Sequence, residues 1–305
     1  MNTLTLAHYY TTPDVQAMAD YVGDSLELAQ IAKKEQADRI VFAGVKFMAE
    51  TTKIMNPEAE VILPDAEATC SLVTQTDMEA LRRWRERYAD YVHVSYINSS
   101  AEHKMLSDWI VTSRNVDDII ASLYAAGKKV IFSPDRNMGA YLNYQYGYEM
   151  PLWSAVCEVH DQFKEEQIRY FLEQHTEQKA YLIAHPESPL PVLKLADFVG
   201  STKQMLEWVG QFPGGSNTIY VATEEGLLHN MRQQRADLNI EQAPIYSGCQ
   251  CNACPYMKRN SVERVLMAQQ GKGFHIDYLN AETIQQARLP IDRMLTFSQQ
   301  NSRAA

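Results

Sequence analysis

The chain has 305 residues, of which 46% are hydrophobic and 22% charged, and these values are typical of a globular protein with two or three domains. The formal net charge of −10 disfavours general nucleic-acid binding, which needs a basic surface. No apolar run is long enough to span a membrane and no signal peptide is visible, so we expect a cytoplasmic location. In a reducing compartment, five cysteines favour metal binding or catalysis over disulfides.

Predicted strands alternate with predicted helices along the chain, a pattern typical of βαβ units with parallel sheets. The first third contains strands at 4–8, 39–44 and 59–64 and helices at 13–21, 26–35 and 45–54. The same order returns downstream, with strands at 92–98, 129–135, 181–187 and 219–224. A final helix is predicted at 281–297, with a kink or restart at Pro290.

Polar residues recur along the chain at intervals of 87 to 97 residues. The repeated sets are His8, Tyr96 and His185; Ser25, Ser113 and Ser201; and Cys70, Cys157 and Cys254. We therefore predict three similar α/β/α domains with small parallel sheets, related by pseudo-threefold symmetry, over residues 1–88, 89–177 and 178–270. Residues 271–305 are predicted to pack back on the first domain. The active site is expected at the central interface, since ligands collect at the carboxyl ends of parallel strands.

The cysteines indicate a soft metal ion or an iron–sulfur cluster. Cys249, Cys251 and Cys254 fall within six residues, while Cys70 and Cys157 lie far upstream. One cysteine from each domain favours a [4Fe–4S] cluster with three thiolates and one open iron that acts as a Lewis acid. Zinc bound by three or four thiolates is the competing interpretation. Buried, unreactive thiols are the plainer alternative for Cys70 and Cys157.

Polar residues at strand ends and helix starts are the candidate substrate groups. Four hydroxyl residues stand at predicted helix starts, where they could cap the helix or bind an anion: Ser25, Ser113, Ser201 and Thr202. Six more residues end the first strand of each domain: His8, Tyr10, Tyr96, Asn98, His185 and Glu187. Each could merely satisfy a buried neighbour, but His185 with Glu187 offers a base and a donor together. His160 could tune a metal held by Cys157, and Lys258-Arg259 is interpreted as a solvated or anion-steering pair.

These motifs resemble the quinolinate synthase family, iron–sulfur enzymes of de novo NAD biosynthesis, over nearly the whole chain. The resemblance runs through Ala7-His8-Tyr9-Tyr10, Gly23-Asp24-Ser25-Leu26, Thr69-Cys70, Tyr96-Ile97-Asn98, Thr112-Ser113, Pro134-Asp135, Cys157-Glu158-Val159-His160, His185-Pro186-Glu187, Gly200-Ser201-Thr202, Thr223-Glu224 and Cys254-Pro255-Tyr256-Met257-Lys258. It implies three similar α/β domains and condensation of iminoaspartate with dihydroxyacetone phosphate to quinolinate, phosphate and water. It also implies functional coupling to L-aspartate oxidase, which would supply the unstable iminoaspartate.

The resemblance also implies residue roles. Cys70, Cys157 and Cys254 would ligate the [4Fe–4S] cluster. The substrate site would be lined by His8, Tyr10, Ser25, Tyr96, Asn98, Ser113, His160, His185, Glu187, Ser201 and Thr202. The catalytic groups would be Glu187, His185, Tyr10 and Tyr96, with Glu187 moving protons.

One motif departs from the family pattern. Many members carry Cys-x-x-Cys-x-x-Cys in the last cysteine run, whereas this chain has Cys249-x-Cys251-x-x-Cys254, which leaves the first two cysteines without a role. The alternative function is a non-catalytic iron–sulfur or zinc protein, an electron carrier or scaffold, which would need a fourth metal ligand.

Overall fold

The computed structural model describes residues 2–174, 180–215, 217–245 and 252–302. Its strands are β1 Thr3–His8, β2 Tyr21–Gly23, β3 Arg39–Ala43, β4 Glu60–Leu63, β5 Val92–Tyr96, β6 Trp109–Val111, β7 Val130–Ser133, β8 Ala180–Ala184, β9 Phe198–Val199, β10 Thr218–Ala222, β11 Asn239–Gln242 and β12 Phe274–His275. Its α-helices are α1 Pro13–Gln16, α2 Ser25–Glu35, α3 Lys46–Met55, α4 Ser71–Thr74, α5 Met78–Arg87, α6 Ala101–Met105, α7 Val116–Ala125, α8 Arg136–Tyr146, α9 Glu165–Gln174, α10 Leu190–Leu193, α11 Thr202–Gln211, α12 Gly226–Gln234, α13 Val262–Gln269 and α14 Ala281–Ser302. Short 3-10 turns lie at His160–Gln162 and Met257–Arg259.

The strands form three small sheets with the orders β12-β4-β3-β1-β2, β6-β5-β7 and β11-β10-β8-β9. Every strand pair is parallel except β12 with β4. In the second sheet, Leu152 adds a single parallel bridge to Phe132 of β7. Each sheet, together with its helices, is called a unit below. In each sheet the first strand of the unit lies between the second and the third, in the orders β2-β1-β3, β6-β5-β7 and β9-β8-β10. The predicted α/β class with three small parallel sheets is therefore confirmed.

The strands are apolar because helices cover both faces of each parallel sheet. Every residue of β7 and of β10 is buried. Because both faces are covered, polar side chains are placed mainly just beyond the strands, at the turns into the helices.

The first predicted helix, 13–21, is wrong in its second half. The helix ends at Gln16, and Tyr21 already begins β2. The backbone N–H of Asp20 donates to the Thr5 carbonyl at 2.9 Å, and its carboxylate accepts from the Thr5 N–H at 2.7 Å. These two bonds turn the chain back alongside β1, which local helix propensity does not anticipate.

The C-terminal helix α14 runs through Pro290 without the restart that was predicted. It packs against α6 and β6 of the second unit as well as α3 of the first. Ala287, Ile291 and Met294 are fully buried there, so the tail contacts the second unit in addition to the first, on which it was predicted to pack. The boundaries at 88, 177 and 270 stay predictions. Across the part of the chain that the structure describes, no helix has both the length and the apolar character to cross a membrane.

Buried histidine and serine side chains of β5, β7 and α6 form a hydrogen-bonded network. This network predicts that acid lowers the stability of the protein. His93 Nε2 lies 2.6 Å and His103 Nε2 lies 2.8 Å from the Ser133 hydroxyl. Burial lowers the pKa of His93 to about 4, and burial together with His93 holds the pKa of His103 well below its usual value.

The unfolded chain therefore binds more protons than the folded one below about pH 6.5. We expect the free energy of unfolding to fall as the pH drops from 6.5 towards 4, by at most about 3 kcal/mol through His93. Urea unfolding at a series of pH values measures this. A His93→Gln variant should show a shallower pH dependence, and an unchanged slope would contradict the prediction.

Candidate active site

The three units meet at one cavity, which is lined by residues from all three. The residues predicted for the site that line it are His8, Tyr10, Ser25, Cys70, Tyr96, Asn98, Ser113, Cys157, His160, His185, Glu187, Thr202 and Cys254. His8 and Tyr96 end β1 and β5, and His185 directly follows β8. The strand ends therefore converge where the repeat placed them.

Ser201 is the predicted residue that does not line the cavity. Its hydroxyl accepts from the Gln204 N–H at 3.3 Å and the Gln204 side chain accepts from its N–H at 2.8 Å, a capping box that starts α11. The other repeated serines differ from it. Asp24, not Ser25, caps α2 by accepting from the Glu27 N–H at 2.8 Å. Ser113 lies before α7 and hydrogen-bonds to Tyr96.

The three thiols share one local arrangement. Each cysteine is followed by a short helical turn whose backbone N–H groups donate to the sulfur. These donors are Leu72 and Val73 for Cys70, His160 for Cys157, and Tyr256 and Met257 for Cys254. Amide donors of this kind stabilise thiolates and surround the sulfurs of iron–sulfur sites.

Burial raises the pKa of all three thiols, to about 12 for Cys254. Cys70 and Cys254 also raise the pKa of Cys157, and Cys254 raises that of Cys70, because negative charge on one sulfur disfavours it on the next. Three neighbouring thiols with amide donors can lose their protons together when a cationic metal centre binds them.

Two buried carboxylates hold the backbones of Cys157 and Cys254. Asp135 accepts from the N–H of Cys157 at 2.8 Å and from that of Met138 at 2.9 Å. Glu224 accepts from the N–H of Cys254 at 2.9 Å. Both carboxylates follow the third strand of their unit and are fully buried. Sequence reasoning gave them no role, although their shared position after β7 and β10 was visible.

Lys258 is also more closely engaged than predicted. Its Nζ lies 2.8 Å from Glu224 Oε1 and donates to the Tyr10 carbonyl at 2.9 Å. Its neighbour Arg259 binds Asp65 at 2.9 Å, in the loop that leads to Cys70. Lys258 is therefore not simply solvated, whereas the Arg259 side chain is 41% exposed, and anion steering by the pair stays a prediction.

Glu187 is the centre of the polar side of the cavity. Its Oε2 lies 3.0 Å from His160 Nδ1 and 3.3 Å from His185 Nδ1, and its Oε1 accepts from Asn98 Nδ2 at 3.3 Å. Burial alone would raise the pKa of this carboxyl, but His160 and His185 outweigh burial and hold the pKa below its usual range. Glu187 is therefore ionised at neutral pH.

Two histidines and two tyrosines around Glu187 stay neutral at neutral pH. Burial and then His185 lower the pKa of His8 to about 3, and burial lowers the pKa of His185. Burial and then Glu187 raise the pKa of both Tyr10 and Tyr96 well above the usual value. The two phenols are therefore hydrogen-bond donors at neutral pH.

Contacts between units join these groups into one site. The Tyr10 hydroxyl lies 2.9 Å from Thr223 Oγ1, which is also 2.9 Å from His160 Nε2. His160 Nδ1 lies 3.2 Å from Cys157 Sγ, and the His160 and His185 rings stack at 4.7 Å. Cys249 and Cys251 lie outside the described residues, so their predicted lack of a role stays a prediction.

Comparison with known proteins identifies the family. The family model described as quinolinate synthetase A protein matches residues 1–296. Quinolinate synthase from Microcystis aeruginosa is 42% identical over 298 residues, which cover 98% of this chain and 92% of that protein. The enzyme of the same name from Synechocystis sp. is 43% identical over 298 residues, with the same coverages.

Among solved structures, UDP-GlcNAc 2-epimerase from Neisseria meningitidis bound to UDP-GlcNAc is 11% identical, and its alignment covers 90% of this chain and 76% of the epimerase chain. Its TM-score of 0.17 is too low to indicate a common fold. The match of the family model and the relatives above 40% identity over almost the whole length settle the classification: this chain belongs to the quinolinate synthetase A protein family.

Proposed function

We propose that this protein is a quinolinate synthase, which condenses iminoaspartate with dihydroxyacetone phosphate to give quinolinate, phosphate and water. The observation that carries the proposal is the shared cavity, where three cysteines meet Glu187, two tyrosines and three histidines. Relatives that carry this name are 42% and 43% identical to the chain.

Cys70, Cys157 and Cys254 would hold a [4Fe–4S] cluster. Their thiols fit it, because they line the same cavity, accept backbone N–H bonds and lie close enough to influence one another's pKa. When bound, a cluster with three protein ligands supplies an open iron that acts as a Lewis acid on substrate oxygens.

Glu187 would accept and return protons during isomerisation and dehydration. It is ionised and buried, and it keeps Oε1 close to Asn98 at the cavity surface. His185 is neutral and would orient substrate oxygens next to it. Tyr10 and Tyr96 would donate hydrogen bonds, since their phenols stay protonated.

Helix starts would bind the substrate anions. Ser25 and Thr202 are the first residues of α2 and α11, and both line the cavity. Free N–H groups and the helix dipole favour a carboxylate or a phosphate at such positions, even in a protein with a net charge of −10. Ser113 would add its hydroxyl, while Ser201 would act by capping α11.

The rival is a protein that binds a single zinc ion without catalysis. It is favoured by one observation: ligand atoms of Cys157, His160 and Glu187 all lie within 4.8 Å of one another. Anaerobic reconstitution with iron and sulfide, followed by an assay with both substrates, separates the two functions. We expect visible iron–sulfur absorption and quinolinate, whereas a colourless zinc protein that forms no quinolinate would refute the enzyme.

The location and the supply of substrate stay predictions. A cytoplasmic location and functional coupling to L-aspartate oxidase follow from the reaction, since iminoaspartate is unstable and a nearby oxidase must supply it.

Gly226 gives a test of how tightly Tyr10 must be placed. A Cβ at this position would lie 2.5 Å from the Tyr9 carbonyl oxygen and 2.9 Å from the Tyr10 Cα. Since the obstacle is backbone, Gly226→Ala must displace the turn that carries Tyr10. We expect kcat/KM for quinolinate formation to fall by about 10- to 100-fold, as an ångström-scale misplacement would cause.

Gly210→Ala is the matched control. Its Cβ would meet only the end of the flexible Gln234 side chain, at 2.5 Å, within the third unit. This variant should keep nearly full activity, and equal losses in both variants would contradict the prediction.

A further inference from the structure

Two buried side chains make the same pair of contacts in two different units. Gln16 Nε2 donates to the carbonyls of Tyr9 at 2.7 Å and Thr11 at 3.0 Å, the residues on either side of Tyr10. Lys104 Nζ donates to the carbonyl of Ile97 at 2.9 Å and to that of Ser99, the residues on either side of Asn98.

The two pairs occupy equivalent positions of the repeat. Gln16 follows Tyr10 by six residues, and Lys104 follows Asn98 by six. Tyr10 and Asn98 are 88 residues apart, and so are Gln16 and Lys104. Tyr10 and Asn98 each stand two residues beyond the first strand of their unit. The donors come from the short helices α1 and α6 that follow these turns.

Each donor binds the carbonyl of the residue before a site residue and the carbonyl of the residue after it. Gln16 is 6% exposed and Lys104 is 0% exposed, so the carbonyls that they bind cannot readily turn to water instead. The first carbonyl belongs to the peptide group before the site residue, and the second belongs to the peptide group after the next residue. Holding both restricts the backbone of the two-residue segment between them and therefore the direction of the site residue's side chain. The side chains so directed reach across to the third unit, Tyr10 to Thr223 at 2.9 Å and Asn98 to Glu187 at 3.3 Å.

The donors differ in charge but share their hydrogen bonds. Gln16 is held in turn by Asn230, whose Nδ2 donates to Gln16 Oε1 at 3.0 Å. Lys104 Nζ lies 5.5 Å from the centre of the Phe47 ring. In the third unit the Glu187 carbonyl is held differently, by Asn137 Nδ2 of α8 at 3.2 Å. Among the described residues, no side chain binds the two carbonyls on either side of Glu187 as Gln16 and Lys104 do in the first two units.

We propose that Gln16 and Lys104 are positioning residues, which direct Tyr10 and Asn98 into the cavity by binding the carbonyls on both sides of each. The proposal rests on the proposed function, because Tyr10 and Asn98 are its substrate-contacting residues. What matters at position 104 is then the N–H donors, not the charge, and a glutamine there should suffice as it does at position 16.

The test compares Lys104→Gln with Lys104→Met. Both remove the charge, but only glutamine keeps N–H donors, while methionine keeps the length and the contact with Phe47. In the reconstituted enzyme we expect kcat/KM to fall by about 10- to 100-fold in Lys104→Met and by less than about fivefold in Lys104→Gln. Iron content should equal that of the wild type in both.

Calorimetric binding of quinolinate gives a readout that does not depend on turnover. We expect weaker binding in Lys104→Met and near wild-type binding in Lys104→Gln, and Gln16→Met should weaken binding in the same way. Lys46→Met is the control, since Lys46 Nζ lies 4.8 Å from the Tyr278 ring centre without bracketing a site residue.

Equal activity and equal quinolinate affinity in Lys104→Gln and Lys104→Met would overturn the proposal, whatever their melting temperatures. If Lys104→Met does not fold, Gln16→Met decides, and wild-type kcat/KM and affinity in that variant would overturn it. An inactive wild type that still binds quinolinate would count against the proposed function alone, and the affinities would still decide the positioning role.

Discussion

Replacing Cys70, Cys157 or Cys254 by alanine is expected to reduce bound iron and sulfide to background after anaerobic reconstitution. The three thiols line the same cavity, and each is stabilised by backbone N–H groups of the helical turn that follows it. With one thiol removed, two protein ligands would remain for a cluster that needs at least three. Iron and sulfide per chain, together with visible absorption, measure the result.

Cys249→Ala and Cys251→Ala are the matched controls, because these residues belong to the same cysteine run but are not assigned to the site. Both variants should assemble a full cluster. Loss of the cluster in either of them, with retention in Cys254→Ala, would show that the third ligand is wrongly assigned.

Glu187→Gln is expected to lower kcat by about 10²- to 10⁴-fold, the range usual for removal of a general base. Glutamine has nearly the same shape and can still accept from Asn98, but it cannot take a proton. Since Glu187 is not one of the three residues assigned to the cluster, the iron content should stay at the wild-type level. Single-turnover assays with the reconstituted protein measure the rate.

Glu158→Gln tests whether the effect is specific to position 187. Glu158 also lines the cavity, but it hydrogen-bonds to Ser71 through its backbone N–H, which donates to Ser71 Oγ at 3.0 Å. This variant should keep kcat within a few-fold of the wild type. A Glu187→Gln enzyme with unchanged kcat would remove Glu187 from the proton-transfer role.

The sequence could predict the three sheets because the information is local and repeated. Apolar runs that end in polar residues place His8 and Tyr96 at strand ends, and the spacing of 88 residues relates the units. Parallel sheets bring such ends together, so the meeting of these strand ends at one site was predictable from the repeat, whereas the full list of site residues was implied by the family resemblance.

Other features depend on contacts that local patterns do not encode. Asp24 and Ser25 are both good N-caps, and only the contact with the Glu27 N–H selects Asp24. The burial of Ala287 and Ile291 one turn apart is helical periodicity, yet which unit α14 covers depends on packing between distant segments.

Hydrogen bonds between distant residues of the site could not be predicted for the same reason. Glu224 accepts from Cys254 across 30 residues, and Lys258 reaches Tyr10 across 248. Such pairs are fixed by tertiary structure, and a single sequence contains no pattern that links them.

The most direct test of the central claim is the rate of quinolinate formation as a function of cluster content. Partially reconstituted samples with increasing iron and sulfide are assayed anaerobically with iminoaspartate and dihydroxyacetone phosphate. The account predicts a rate proportional to the fraction of chains with a full cluster, and no product from metal-free or zinc-loaded protein. Quinolinate formed by zinc-loaded protein, or none formed by fully reconstituted protein, would contradict it.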